Sequence, residues 1–335
     1  MTVGADQRWS GRRVAVTGAA GFIGSRLTQR LVELGADVRA LLHYRGDGGR
    51  GLLDALPADQ LLAIEVTAGD LRDESWLRRS LAGVSDVFHL GALVGIPYSY
   101  LNPRDVIATN VGGTLNVLEA VRDLGVGRLV QTSTSEVYGS AQRIPMSEDH
   151  PLSAQSPYAA SKIAADQLAL SFHRAFDVPV SIARPFNTYG PGQSARAVIP
   201  AIIAQALAGD EVTLGVTSTT RDLVYVDDTV AGLLAIASSD AALGRAVNIA
   251  TGIETSITQI VVAVGAIVGR DLTVREDERR RRPAASEVDR LVGDSRVLRE
   301  SCGWVPATVL FDGLARTVEW VRANRERHEP DAYRV

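Results

Sequence analysis

Lysine is all but missing from this chain: of its 35 basic side chains 34 are arginine, and the one lysine is Lys162. Arginine serves wherever a plain positive charge is enough, so a lysine is retained where a compact ammonium with a shiftable pKa cannot be replaced by a guanidinium that never deprotonates. Cysteine is as scarce. The lone Cys302 excludes an internal disulfide framework and a thiolate metal site, and no metal is expected. A basic field is lacking too: the net charge of -4 excludes electrostatic capture of nucleic acid, so any phosphate recognition must be local. No apolar run approaches membrane-spanning length, and Met1 to Arg13 is polar, without the apolar centre of a signal peptide. The expectation is a soluble cytoplasmic protein with no membrane partner. At 335 residues and 46% hydrophobic, it can bury a core large enough for one big domain or two modest ones.

From Arg13 onward, short β-branched runs alternate with amphipathic stretches, which predicts an α/β fold: a doubly wound parallel sheet covered by helices. Val14–Thr17 reads as the first strand. Ile23, Leu27 and Leu31 then form one helical stripe that Gly35 ends. Val38–Leu42, Leu62–Val66, Val87–Leu90, Leu129–Thr132 and Val180–Ala183 supply further strands, and Asp105–Leu124 and Pro157–Phe176 read as long helices. These two helices are apolar over more of their surface than one sheet face needs, which predicts deep burial or a dimer seam. After Arg184, prolines and glycines at 191, 192, 200 and 209 break the chain into pieces suited to a small lid rather than to more sheet. The predicted division is a dinucleotide-binding domain over residues 11–188, with segments near 222–252 returning to it, and a smaller C-terminal substrate-binding domain over 189–330.

Gly18, Gly21 and Gly24 fall directly after the first strand and open the first helix, with Phe22 and Ile23 between the last two. In that context glycine permits a tight turn, close approach of backbone to a pyrophosphate and close helix packing, while the helix N-terminus favours the negative charge. The second strand ends Leu41-Leu42-His43-Tyr44-Arg45, without the acidic residue that would hold an adenosine ribose. Arg45, or less directly Arg39, is instead placed for a 2'-phosphate, so NADP stays as open as NAD. Asp70, followed by Leu71, either accepts from the adenine amino group or caps a helix. His43 and His89 read as structural rather than catalytic.

Tyr158 and Lys162 stand four residues apart, on one helical face. An ammonium beside a phenol favours phenolate, so Tyr158 is expected to titrate low enough to transfer protons near neutrality. The solvated run Arg279–Arg282 reads as a loop, with Arg282 the alternative partner of a phosphate.

With the glycine loop and Tyr158–Lys162 together, the chain resembles the extended short-chain dehydrogenases/reductases from about Arg13 to Val321. It is most similar to their nucleotide-sugar epimerases and dehydratases. Matching segments are His89–Ala92, Asn110–Thr114, Arg184–Asn187, Arg221–Leu223, Arg282-Pro283 and Glu287-Val288. The resemblance implies a Rossmann-type domain, a tightly held NAD or NADP recycled within each cycle, and a homodimer. It places Leu90, Ala92, Asn110 and Pro185, with the loop residues and His43, against the cofactor. Tyr158 would be the general base, Lys162 the ribose ligand, and Thr134 the hydrogen-bond partner of the sugar oxygen. Ser135, Asn187, Arg196, Arg221 and Arg282 would meet the nucleotide-diphospho-sugar.

The stretch Thr134-Ser135-Glu136 sorts the branches. The 4-epimerases have no demand for a carboxylate there, whereas 4,6-dehydratases use one to remove the C5 proton. The Asp-Glu pair of deoxythymidine-diphospho-glucose dehydratases is replaced by Ser-Glu, the pattern of GDP-mannose dehydratases and UDP-glucuronate decarboxylases. Gly95–Tyr100, Gln155–Tyr158 and Gln193–Pro200 resemble dehydratases acting on UDP- or GDP-linked N-acetylglucosamine. Gly190-Pro191-Gly192 departs from the Gly-Pro-Arg of those enzymes and of the decarboxylases. The resemblance therefore implies a nucleotide-diphospho-sugar 4,6-dehydratase, with epimerisation or decarboxylation as the alternative.

Overall fold

The computed structural model describes residues 8–280 and 283–328. Strands β1 (Arg13–Thr17), β2 (Asp37–His43), β3 (Ile64–Gly69), β4 (Asp86–His89), β5 (Arg128–Thr132) and β6 (Val180–Pro185) build the centre. Three strands, β7 (Asn187–Tyr189), β8 (Glu211–Leu214) and β9 (Thr220–Tyr225), lie outside it before β10 (Ala246–Ile249) returns. The resulting seven-stranded sheet has the order β10-β6-β5-β4-β1-β2-β3, with every pairing parallel. The predicted third strand begins later than its sequence suggests, because Leu62 closes a one-turn helix, Ala58–Leu62.

Helices of seven residues or more are α1 (Phe22–Glu33), α2 (Glu74–Leu81), α3 (Gly113–Leu124), α4 (Pro157–Phe176), α5 (Val198–Ala208), α6 (Val226–Ser238), α7 (Ile257–Val268), α8 (Arg296–Cys302) and α9 (Leu310–Ala323). Local chemistry fixes their ends. Ser156 accepts from Ala159 N at 3.1 Å, with Pro157 at the first helical position of α4, and Gly125 takes a left-handed φ of 65° to stop α3. The stretch read as one helix from Asp105 is three pieces: Pro103–Ile107, a π-turn over Ala108–Gly112, and α3.

The alternation of β1 sends side chains to two cores. Val14 and Val16 join Leu27, Leu31, Leu233 and Ile236 beneath α1 and α6; Ala15 joins Leu77, Leu118, Ala169 and Phe172 beneath α2, α3 and α4. Burial on both faces is what a doubly wound sheet requires.

The segment after Arg184 is more than a lid. Strand β9 pairs antiparallel with β11 (Glu254–Ser256) and parallel with β7 and β13 (Arg290–Leu291), while β8 pairs with β12 (Thr273–Glu276). These pieces pack a third core in which Ile202, Ile203, Tyr225, Val264, Leu314 and Val318 meet. Their strands are two to six residues long and find their partners far along the chain, so no local period announces them. Among the described residues no helix is long and apolar enough to cross a membrane, and no cluster of metal-ligating side chains occurs.

Candidate active site

The sheet order reverses between β1 and β4, and ligands of such sheets bind in the crevice at the carboxyl ends of the strands there. Thr17 and His89 are register partners at that point. Gly18 has a φ of 70°, and a Cβ on it would lie 2.8 Å from Gly91 N. A Cβ on Gly24 would lie 2.2 Å from Gly18 O, so α1 approaches the loop as only glycine allows. Gly21 N donates to Gly18 O at 3.0 Å, closing the turn, and Phe22 and Ile23 open α1. The cradle fits a dinucleotide phosphate laid on a helix N-terminus.

His43 stands exposed at the end of β2. Arg45 is exposed and held by Asp47 through two contacts, Nε to Oδ1 at 3.2 Å and Nη2 to Oδ2 at 2.8 Å. Arg39 is elsewhere: Nη1 donates to Ser80 O at 2.7 Å and Ala82 O at 3.1 Å at the end of α2, and Nε pairs with Glu65 at 2.9 Å. These contacts remove Arg39 as a phosphate ligand. Asp70 is not a helix cap. Asp73 caps α2 by accepting from Trp76 N at 3.0 Å, whereas Asp70 accepts from Arg72 N and pairs with the Arg72 side chain. Leu71 fills the space above Gly91 and Gly113.

Behind the loop Leu90–Ala92, Asn110 is buried in the π-turn. Its Oδ1 accepts from Leu93 N at 2.7 Å, and its Nδ2 donates to Leu93 O at 3.0 Å and Ser161 Oγ at 2.9 Å, tying the loop to the residue before Lys162. His89 is buried between Thr17 Oγ1 at 2.6 Å and Thr114 Oγ1 at 3.2 Å. Pro185 ends β6 in register with Ile249.

The residues expected to react gather between β5 and α4. Thr134 accepts from Glu136 N at 3.2 Å, shaping the turn Ser135–Tyr138, and its side chain acts on the Tyr158 phenol. Thr134, not Glu136, therefore caps the turn. Tyr158 is 7% exposed and Lys162 4%. Burial pushes the Tyr158 phenol up, with Thr134 opposing and the Glu136 and Asp166 charges adding to the rise. That direction is opposite to the one expected from the tyrosine–lysine pair alone. The reason is local: Lys162 Nζ donates to Thr132 O at 2.6 Å, and desolvation outweighs the opposing influence of Thr134. Burial likewise pushes Lys162 down to about 8, with Asp166 holding it up.

The predicted substrate residues lie in differing surroundings. Ser135 is buried in the turn. Asn187 begins β7, and its Oδ1 is buried with no hydrogen-bond partner among the described residues. Arg221 is buried and engaged, with Nη1 donating to Thr220 O at 2.8 Å and Nη2 lying 3.5 Å from Glu287. Arg196 is exposed beside Gly95, whose Cβ position lies 3.9 Å from its Nη1. Arg282 lies outside the described residues. Sequence reasoning passed over Ser133, Ser161 and Asp166, which brace this set. Only Asp166 leaves a local trace, on the same helical stripe as Tyr158 and Lys162.

Residues 15–317 match the family model described as GDP-mannose 4,6 dehydratase. The chain is 36% identical over 322 residues to a dTDP-glucose 4,6-dehydratase of Streptomyces griseus, covering 94% of this chain and 95% of the relative. It is 34% identical over 315 residues to a UDP-glucose 4-epimerase of Mycolicibacterium smegmatis, covering 92% and 98%. Among solved structures it resembles DesIV, a dTDP-glucose 4,6-dehydratase from Streptomyces venezuelae crystallised with NAD bound. The TM-score is 0.85 at 33% identity, over 95% of this chain and 99% of that one.

Proposed function

Because the chain belongs to the GDP-mannose 4,6-dehydratase family of NAD-dependent epimerases and dehydratases, we propose that it removes water from a nucleotide-diphospho-hexose to give a 4-keto-6-deoxy sugar. The observation that carries this reading is a carboxylate, Glu136, two residues after Thr134 in the turn Ser135–Tyr138 that Thr134 caps, where simple epimerisation has no use for one.

Tyr158 takes the proton of the sugar C4 hydroxyl while Thr134 holds that oxygen. NAD, when bound, supplies the hydride acceptor at C4 and the hydride donor at C6. With C4 a ketone the C5 proton is acidic, and Glu136 removes it as the C6 hydroxyl leaves as water; when C6 regains its hydride, C5 regains a proton, balanced by the one Tyr158 drew from the C4 hydroxyl, so the net change is loss of one water. Ser135 stands where related dehydratases carry an aspartate, so the protonated Glu136 is also the acid that serves the departing hydroxyl. Lys162 binds the nicotinamide ribose. The glycine loop and Asn110 place the dinucleotide, and NAD is favoured over NADP because Asp47 already engages Arg45.

For the sugar we infer N-acetylglucosamine carried on UDP or GDP. The segments resembling such dehydratases converge. Gly95 adjoins Arg196, and Ser286 Oγ joins Tyr100 to Gln155, donating to Gln155 O at 2.5 Å. The same reading includes a homodimer, supported by Ile107 and Phe176, which stand exposed on the Pro103–Ile107 turn and at the end of α4.

Incubation of the NAD-loaded protein with UDP-, GDP- and dTDP-hexoses should give a product lighter by one water. Glu136→Gln should abolish that loss while still yielding a 4-keto sugar and reduced cofactor. Products of unchanged mass would point to epimerisation, and loss of carbon dioxide from UDP-glucuronate to decarboxylation, the reactions of relatives within the same family.

A further inference from the structure

Asp166 follows Tyr158 by two helical repeats of four and Lys162 by one, so the three side chains share a stripe of α4. It is fully buried, at 0% exposure. Its Oδ2 alone takes the donors around it, Ser133 Oγ at 2.9 Å and Arg184 Nε and Nη2 at 3.1 and 3.0 Å, while Oδ1 has no hydrogen-bond partner among the described residues. A carboxylate present only to neutralise Arg184 would offer both oxygens to the guanidinium fork. This one instead shares a single oxygen with a serine. Ser133 sits between Thr132, whose carbonyl receives Lys162 Nζ at 2.6 Å, and Thr134, which acts on the Tyr158 phenol.

Building on the proposed roles of Tyr158 and Lys162, we infer that Asp166 is a positioning residue of this reaction: it stands one helical turn from Lys162 on the same stripe, and through Ser133 it holds Thr132, which receives the ammonium, and Thr134 in register. Charged and titratable groups approach Lys162 from each neighbouring element. His89 on β4 is pushed down to about 3 by burial and by the Lys162 charge, so it is neutral near pH 7. Tyr158 lies on the same helix, and Glu136 bears on that phenol. Arg184 on β6 faces the far side of Asp166, and behind it Tyr138, whose phenol burial pushes up to about 12, accepts from Arg184 Nη1 at 3.0 Å. Burial pushes the Asp166 carboxyl itself up, with Arg184, Ser133 and Lys162 opposing, and its charge in turn opposes the desolvation of Lys162. An uncharged side chain at 166 leaves that desolvation unopposed, so the ammonium loses its proton at lower pH.

Because the chain has one lysine, isotopically labelled lysine reports one side-chain amine by nuclear magnetic resonance. Titration of the NAD-loaded protein should show the Lys162 midpoint falling by about one unit or more in Asp166→Asn. The alkaline limb of the kcat profile should move to lower pH by the same amount, and Asp166→Glu should restore both. A double variant, Asp166→Asn with Arg184→Gln, removes the buried guanidinium together with its carboxylate and serves if the single variant does not fold; it should show the same fall. A wild-type midpoint in either folded variant overturns the inference. The resonance is read without turnover, so this failure is distinct from failure of the dehydratase reading, which the product mass detects.

Discussion

Tyr158 is a phenol that its surroundings hold protonated: burial raises it, and the nearby carboxylates of Glu136 and Asp166 raise it further. Such a group works as a base only when something stabilises the phenolate as the sugar proton moves. Thr134 does so in part, and Lys162, anchored on Thr132 one helical turn away, is the remaining cation on that stripe. Replacing Tyr158 by phenylalanine removes the proton acceptor and keeps the ring. Turnover should fall about a hundred- to ten-thousand-fold, the usual share of general acid–base catalysis, with NAD affinity and melting temperature nearly unchanged. Steady-state kinetics beside a binding isotherm checks this, and a variant retaining wild-type kcat would remove Tyr158 from the mechanism. The pair was legible in the sequence because tyrosine and lysine at helical spacing are a local pattern. The phenol's direction of shift was not, because burial and the approach of Glu136 and Asp166 belong to the folded molecule. Asp47 beside Arg45 was equally hidden: an ion pair two residues apart has no period to reveal it.

At the scale of elements, the strand–turn–helix around Gly18–Gly24 was read correctly because all its constraints are local. A Cβ at residue 24 would meet Gly18 O at 2.2 Å, and backbone cannot give way as a flexible side chain can. Gly24→Ala should therefore push α1 off the loop at a cost of about 1–3 kcal/mol, typical of overpacking. That cost should appear as NAD binding weakened roughly tenfold to a hundredfold. Calorimetric titration measures it, and unaltered affinity would mean that the loop does not carry the phosphate. Strands β7, β9, β11 and β13 escaped the sequence reading for the opposite reason. Each is short, and β13 finds β9 across some seventy residues, so only the assembled third core selects the pairing.

On the scale of the whole molecule, one buried carboxylate links the two sheets. Asp222 on β9 accepts from Thr251 N at 2.9 Å, Thr251 Oγ1 at 2.6 Å, Gly252 N at 2.8 Å and Gly293 N at 3.1 Å. Thr251 and Gly252 follow β10, the edge of the parallel sheet, and Gly293 follows β13 of the second, so three segments meet on a single side chain. Asp222→Ala would leave three backbone N–H groups and a hydroxyl without their acceptor, at a cost of about 2–4 kcal/mol. The melting temperature should drop by several degrees. Arg221 is the residue before it and is held by Thr220 O on the same strand and by Glu287, which lies ahead of β13. The loss of register should therefore raise KM for the nucleotide sugar more than it weakens NAD, whose glycine loop lies on β1 at the other side of the switch point. Parallel thermal denaturation and kinetics with both ligands varied separate the two effects, and an equal loss for NAD and sugar would show that Asp222 stabilises the molecule without aligning its second sheet on the first.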